Sequence, residues 1–119
     1  MAQQRSIMNV DAVNAYFNAM RNRGAAAHRE LFTEDAQLVT PFGTFVGVDA
    51  IVTFYRDFAF SVDDLWPEPG PLLISGDRVA VELRARSNGQ VSLVGDFFTL
   101  RDGKISRLGI YMGAPEPDT

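Results

Sequence analysis

Carboxylates, hydroxyls and aromatic rings are the groups with which this sequence can do chemistry. It has no cysteine and one histidine, His28, in 119 residues. Thiolate catalysis, disulfides and cysteine-based zinc sites are excluded, and a histidine-rich metal centre cannot be assembled. No metal or cofactor is therefore expected. Among the acids Asp96 stands out, because it interrupts an apolar strand pattern in Val94-Gly95-Asp96-Phe97-Phe98. Asp63 and Asp64 read as loop solvation, and Asp35 as a residue that turns the chain into a strand. His28, on a short helix with polar flanks, reads as a solvated surface histidine. Gly43-Thr44-Phe45-Val46-Gly47 has two glycines but lacks phosphate-loop spacing, so no nucleotide role follows.

The elements that must position Asp96 are strands. Asn88-Gly89 is a strong two-residue hairpin signal, and pairing Ser87 with Gln90 sets Leu83 opposite Val94, Val81 opposite Asp96 and Val79 opposite Phe98. A second hairpin follows at Arg101-Asp102-Gly103. A three-residue loop there pairs Leu100 with Lys104 and places Asp96 opposite Leu108 and Val94 opposite Ile110. A two-residue loop would set Asp96 opposite Gly109 and turn Arg107 inward. The first is preferred, because it gathers Leu108, Ile110 and Met112 onto the face holding Val79, Val81, Leu83, Val94 and Phe98. That face is then apolar except for its centre, Asp96. Burying an unpaired carboxylate is costly unless it is protonated or hydrogen-bonded, and desolvation raises its pKa. On the opposite face Val91, Leu93, Phe97 and Tyr111 leave an apolar patch that a second copy would cover, so a homodimer through the outer sheet face is expected.

Upstream, the pattern is helical. Val10, Val13, Phe17 and Met20 form one stripe, with Asn9 as N-cap and Gly24 as stop. A short helix spans Ala25 to Phe32, and a third runs from Asp49 to Phe58, with Ile51, Phe54, Tyr55 and Phe58 on one face. Ala36 to Thr40 reads as a strand ended by Pro41-Phe42-Gly43, Ser61 to Gly70 as a loop, and Leu72 to Ser75 as a short strand. The whole chain, 1–119, reads as a single domain with frayed ends at about 1–7 and 114–119. The fold class is α+β, a cone-shaped barrel with three N-terminal helices on a curved mixed or antiparallel sheet. The composition, 46% hydrophobic and 22% charged, is globular, and the net charge of −4 without a Lys/Arg cluster argues against a nucleic-acid partner. No apolar run is long enough to span a membrane, and the N-terminus lacks the apolar core of a signal peptide, so a cytoplasmic location is expected.

The local sequence resembles the nuclear transport factor 2-like superfamily. The residues that carry this are Leu31-Phe32-Thr33-Glu34-Asp35-Ala36, Phe45-Val46-Gly47 leading into Asp49-Ala50-Ile51-Val52-Thr53-Phe54-Tyr55, and Asp102-Gly103-Lys104-Ile105. Within it the chain is most similar to SnoaL-like proteins and ketosteroid isomerases, over about Val10 to Gly113. The isomerase resemblance implies an oxyanion hole made by a first-helix tyrosine, here Tyr16, and a protonated inner-strand aspartate, here Asp96; that pair is an established example of a carboxylic acid kept neutral by an apolar site. Another family tyrosine falls at Tyr55, which by itself reads as core. The family's general base, an aspartate before Pro-x-Gly, is replaced by Thr40. Epoxide hydrolase-like and SnoaL-type relatives use a last-strand aspartate, and Leu108, Ile110 and Met112 are all apolar.

The reading that follows is an isomerase-like enzyme acting on a small apolar carbonyl or polycyclic compound by enolate stabilisation, with its general base unassigned. Tyr16 and Asp96 would be catalytic. Met20, Thr40, Phe54, Tyr55, Val81, Phe98, Leu108, Ile110 and Met112 would line the substrate site, and Phe42, Phe58, Phe60 and Trp66 either line its mouth or close the core. Two alternatives stand beside it: a non-catalytic binding or dimeric interaction module that lost the base, and a cyclase or hydrolase with Asp96 as base.

Overall fold

A computed structural model describes residues 2–115. Helix α1 (Ala2–Asn22) outruns its apolar stripe at the N-terminal end. Asn9 does not cap it. The side chain is buried inside the helix, and its amide donates to the Gly76 carbonyl at 3.2 Å, so a tertiary contact takes the group that would have stopped the helix. At the other end Arg23, not Gly24, takes the left-handed conformation (φ 54°), and the Gly24 amide donates to the Ala19 carbonyl. Gly24 then opens α2 (Ala25–Arg29), which stops short of Phe32 because that residue begins a strand.

The strands are β1 (Phe32–Thr40), β2 (Gly43–Val46), β3 (Trp66–Ser75), β4 (Arg78–Ser87), β5 (Gln90–Arg101) and β6 (Lys104–Pro115), with α3 (Val48–Asp57) and a single 3-10 turn (Ala59–Ser61) between β2 and β3. They form one sheet in the order β2-β1-β6-β5-β4-β3, antiparallel except where β1 lies parallel to β6. The sheet is open, with β2 and β3 at its edges, so the expected α+β cone is present but not closed as a barrel. β3 covers residues read as loop; an edge strand tolerates Pro67 and Pro69, and its pairing shifts between Pro69 and Leu72. The expected frayed tail falls, for 116–119, outside the described residues, while Ala114 and Pro115 belong to β6.

The β4–β5 register is as expected, with Asn88 and Gly89 both at positive φ and Val81 opposite Asp96. The β5–β6 register is neither of the two considered. Asp102 and Gly103 form a two-residue turn pairing Arg101 with Lys104, but the pairing then shifts between Thr99 and Leu100, leaving Ser106 as an extra residue whose hydroxyl donates to the Thr99 carbonyl at 3.1 Å. Asp96 therefore faces Ile110 rather than Leu108, and Val94 faces Met112 rather than Ile110. The bulge restores the parity a two-residue turn alone would have broken, so Leu108, Ile110 and Met112 still point inward.

The helices cover the inner face. Val13, Tyr16 and Phe17 of α1 and Ile51 and Tyr55 of α3 pack over Leu38, Val79, Val81, Phe98 and Leu108. On the outer face each aromatic of a central pair lies across from a glycine: Phe97 opposite Gly109, and Tyr111 opposite Gly95. A Cβ on Gly109 would come within 2.9 Å of the Tyr111 ring, so the missing side chain is what lets that ring lie along the sheet. No described helix is long and apolar enough to cross a membrane.

Candidate functional site

β5 carries Asp96 on its inner face, between Val81 on β4 and Ile110 on β6. α1 crosses above it with Tyr16 and Met20, α3 brings Phe54 and Tyr55 from the side, and Phe58 follows just past the end of α3. Together they enclose a cavity of about 260 Å³, lined almost wholly by apolar side chains. Among the lining residues the ionisable ones are Asp96, Tyr16 and Tyr55.

These three form the chemical end of the cavity. The Tyr16 and Tyr55 hydroxyls share a 2.6 Å hydrogen bond deep in the core. The pair owns two phenolic protons and uses one between its members, so one O–H remains to donate elsewhere. The family resemblance implies Tyr16 and Asp96 as joint donors, and the structure gives the Tyr16 hydroxyl a hydrogen-bond partner from α3, Tyr55. Asp96 is 3% exposed, and its Oδ1 has no hydrogen-bond partner among the described residues. With no cation or donor among the described residues to hold the charged form, burial pushes its pKa up to about 7. Burial also lifts Tyr16 well above the ordinary phenol range, helped by Tyr55 and by Asp96. Tyr55 is raised by burial too, with the Tyr16 hydrogen bond opposing and Asp96 reinforcing the rise. Both phenols are therefore neutral donors, while Asp96 is poised to hold or release a proton near neutrality.

Of the residues expected to line a substrate site, Met20, Thr40, Phe54, Tyr55, Ile110 and Met112 do so. Val81, Phe98 and Leu108 do not: they are buried core beneath its floor. Thr40 occupies the position of the family's base, but its hydroxyl is engaged in the β1–β2 turn, accepting from the Phe42 amide at 3.0 Å and donating to the Gly43 carbonyl at 2.9 Å. Phe42 and Phe58 line the mouth, their rings 4.9 Å apart. Trp66 lies outside it, under the Arg21 guanidinium, and Phe60 packs on Tyr55 and His28.

His28 corrects the sequence reading most sharply. It is fully buried, not solvated, with its ring 4.1 Å from that of Tyr55 and further enclosed by Tyr16, Phe32 and Phe60. Neither ring nitrogen has a partner among the described residues, and burial pushes its pKa down to about 4. It is a neutral wedge behind the tyrosine pair. A lone histidine between exposed neighbours carries no sequence signal for this; the packing of α2 against α3 decides it.

The mouth is closed on one side by a segment that sequence reasoning passed over as a solvated loop. Arg23 donates to the carbonyls of Phe60 (3.1 Å), Val62 (2.8 Å) and Asp63 (2.6 Å), and Arg21 donates twice to that of Pro67. Asp64 accepts from the Asn88 and Gly89 amides, each at 2.7 Å. Residues 60–67 are thus strapped between the end of α1 and the tip of the β4–β5 hairpin, with Val62, Leu65 and Pro67 facing the cavity.

The family model of the SnoaL-like domain matches residues 13–108. Among solved structures, a Sinorhizobium meliloti protein provisionally named a polyketide cyclase is 29% identical, with a TM-score of 0.77 over 85% of this chain and 94% of that one. A Kribbella flavida protein provisionally named a ketosteroid isomerase is 20% identical, with a TM-score of 0.81 over 94% and 83%. TerC, co-crystallised with polyporic acid, is 22% identical, with a TM-score of 0.77 over 89% and 92%. The last two likenesses show the fold alone. No curated protein matches the sequence significantly.

Proposed function

Because the chain belongs to the SnoaL-like family, we propose that it is an enzyme acting on a small, largely apolar carbonyl compound through enolate stabilisation. Protonated Asp96 and the spare phenolic proton of the Tyr16–Tyr55 pair donate to the substrate oxygen as it gains negative charge. One observation carries this reading: a buried carboxyl, one of whose oxygens has no partner among the described residues, shares an apolar cavity with a neutral phenol pair. Apolar walls select a ring system and keep the donors dry, where each is worth most. The group that moves the proton is unassigned.

A β,γ-unsaturated ketone in deuterated water tests the proposal. Exchange or isomerisation is expected with the natural chain. Tyr16→Phe and Asp96→Ala should each lower the rate by about 10²- to 10³-fold, the usual effect of removing one such donor. Asp96→Asn keeps a donor and should retain part of the rate. Complete loss in Asp96→Asn with full activity in Tyr16→Phe would instead make ionised Asp96 the general base, as in the cyclase or hydrolase reading. Tight binding of phenols with no exchange would support the non-catalytic module, which the engagement of Thr40 in its turn favours.

The outer face supports a homodimer. Phe97 and Tyr111 are about half exposed and pack edge to face, with centroids 5.6 Å apart, and Phe97 lies in the same cross-strand row as the exposed Leu73 of β3. A flat apolar patch of this kind is what a self-complementary interface buries.

A further inference from the structure

We propose that the cavity takes an elongated, rigid, apolar compound bearing a second hydroxyl or carbonyl oxygen at the end opposite the one held by Asp96, and that Ser92 and Ser87 read that distal oxygen. The proposal rests on the reading of Asp96 and Tyr16 as the donors to the first oxygen. Along β5 the inward positions run Asp96, Val94, Ser92. Four residues of strand separate the two polar ends, roughly 13 Å at about 3.3 Å per residue. Allowing a hydrogen bond at each end, the ligand's two oxygens lie roughly 8–11 Å apart.

Between these ends the lining is apolar, with Val94 flanked by Leu83 and Met112. At the far end Ser87, Asn88 and Ser92 all line the same cavity. Both serines adjoin apolar inward residues on their strands, Leu83 and Ala85 before Ser87 on β4 and Val94 beside Ser92 on β5. Ser92 lies between Ala85 and Pro115, neither of which offers a polar side chain, and among the described residues neither serine hydroxyl has a hydrogen-bond partner. The two serines are partly buried, and the hairpin tip beside them is fixed by Asp64 on the Asn88 and Gly89 amides. The polar end is therefore held at a set distance from Asp96, which is what discrimination by length needs. At about 260 Å³ the cavity is small for a small-molecule site, which favours a ligand of two or three fused or linked rings.

The test is a pair of probes of one shape, 4-hydroxybiphenyl and 4,4′-dihydroxybiphenyl, titrated into the natural chain, Ser87→Ala/Ser92→Ala, and Asp96→Ala. The diol should bind the natural chain about tenfold more tightly. In the double serine variant that advantage should fall to the twofold expected from two equivalent ends, with 4-hydroxybiphenyl affinity unchanged. Asp96→Ala should weaken both probes alike. An equal diol advantage with and without the serines, no advantage in the natural chain, or binding of neither probe would overturn the proposal. Affinities unmoved by Asp96→Ala, with the serine effect intact, would instead remove the reading of Asp96 while leaving the distal site standing.

Discussion

A carboxyl enclosed by Val81, Val94, Phe98 and Ile110 and an imidazole enclosed by four aromatic rings are opposite burdens on the same core. Burial raises Asp96 to about 7 and lowers His28 to about 4. Between about pH 4 and pH 7 the folded state keeps an Asp96 proton that the unfolded chain, with an ordinary value near 3.9, has released. Stability from this group is therefore lost as pH rises, by roughly 4 kcal/mol once the carboxyl is ionised, and is level above about 7. His28 works the other way. As pH falls from about 6.5 to about 4 the unfolded chain takes up a proton that the folded state refuses, and roughly 3 kcal/mol is lost. Over most of the acid range the two slopes oppose one another. Urea unfolding at several pH values should show Asp96→Asn more stable than the natural chain near pH 7.5, with the gain shrinking toward pH 4. His28→Leu should show its gain growing on acidification. Variant curves that run parallel to the natural chain would refute both assignments.

At the scale of elements, the strap at residues 60–67 converts a helix end into a wall of the cavity. Arg23 does two things there. It ends α1 in a left-handed conformation that favours glycine, and its guanidinium holds three carbonyls of the strap. Arg23→Ala keeps the backbone strain and loses the bonds, so it should cost on the order of 2 kcal/mol. Arg23→Gly loses the same bonds but relieves the strain, and should be about 1 kcal/mol more stable than Arg23→Ala. Thermal unfolding of the two variants beside the natural chain checks the order; Arg23→Gly falling below Arg23→Ala would deny the left-handed role. At the other end of the strap, backbone amides of Gly89 and Asn88 hold the Asp64 carboxyl below the usual carboxylate range. That tie is present at neutral pH and is lost as pH falls through its depressed value.

For the whole molecule, the helices cover the inner face of the sheet and leave an apolar patch around Phe97 and Tyr111 on the outer one, beside charged positions such as Arg84 and Arg86. The uncovered face sets the expected assembly. Light scattering at micromolar concentration should give the mass of a dimer, and Phe97→Glu combined with Tyr111→Lys should give a monomer with unchanged far-ultraviolet circular dichroism. A natural chain that scatters as a monomer at these concentrations would remove the idea. Because the cavity and this patch lie on opposite faces, the double variant should still bind a phenol, which separates assembly from ligand recognition.

Local chemistry in the sequence determined a good deal of this. Asn88-Gly89 accepts positive φ at both positions, so it fixed the β4–β5 register, and with a side-chain period of two that placed Asp96 inward beside Val81. The 3.6-residue spacing of Ile51, Tyr55 and Phe58 fixed α3, and the absence of cysteine closed off whole classes of chemistry. Tertiary structure decided the rest, because each remaining feature depends on groups far apart in the chain. The extra residue at Ser106 sets which β6 residue faces Asp96, and it is stabilised by a bond across the sheet rather than by its neighbours. The parallel pairing of β1 with β6 has no turn to announce it. Asn9, a good cap by type, was drawn into the helix by a carbonyl 67 positions away. Tyr16 met Tyr55, His28 went into the core, and Arg23 and Asp64 strapped the mouth, all through contacts that no periodicity records. The sequence thus carried the carboxyl and its apolar surroundings, while packing alone decided that one of its oxygens would find no partner among the described residues.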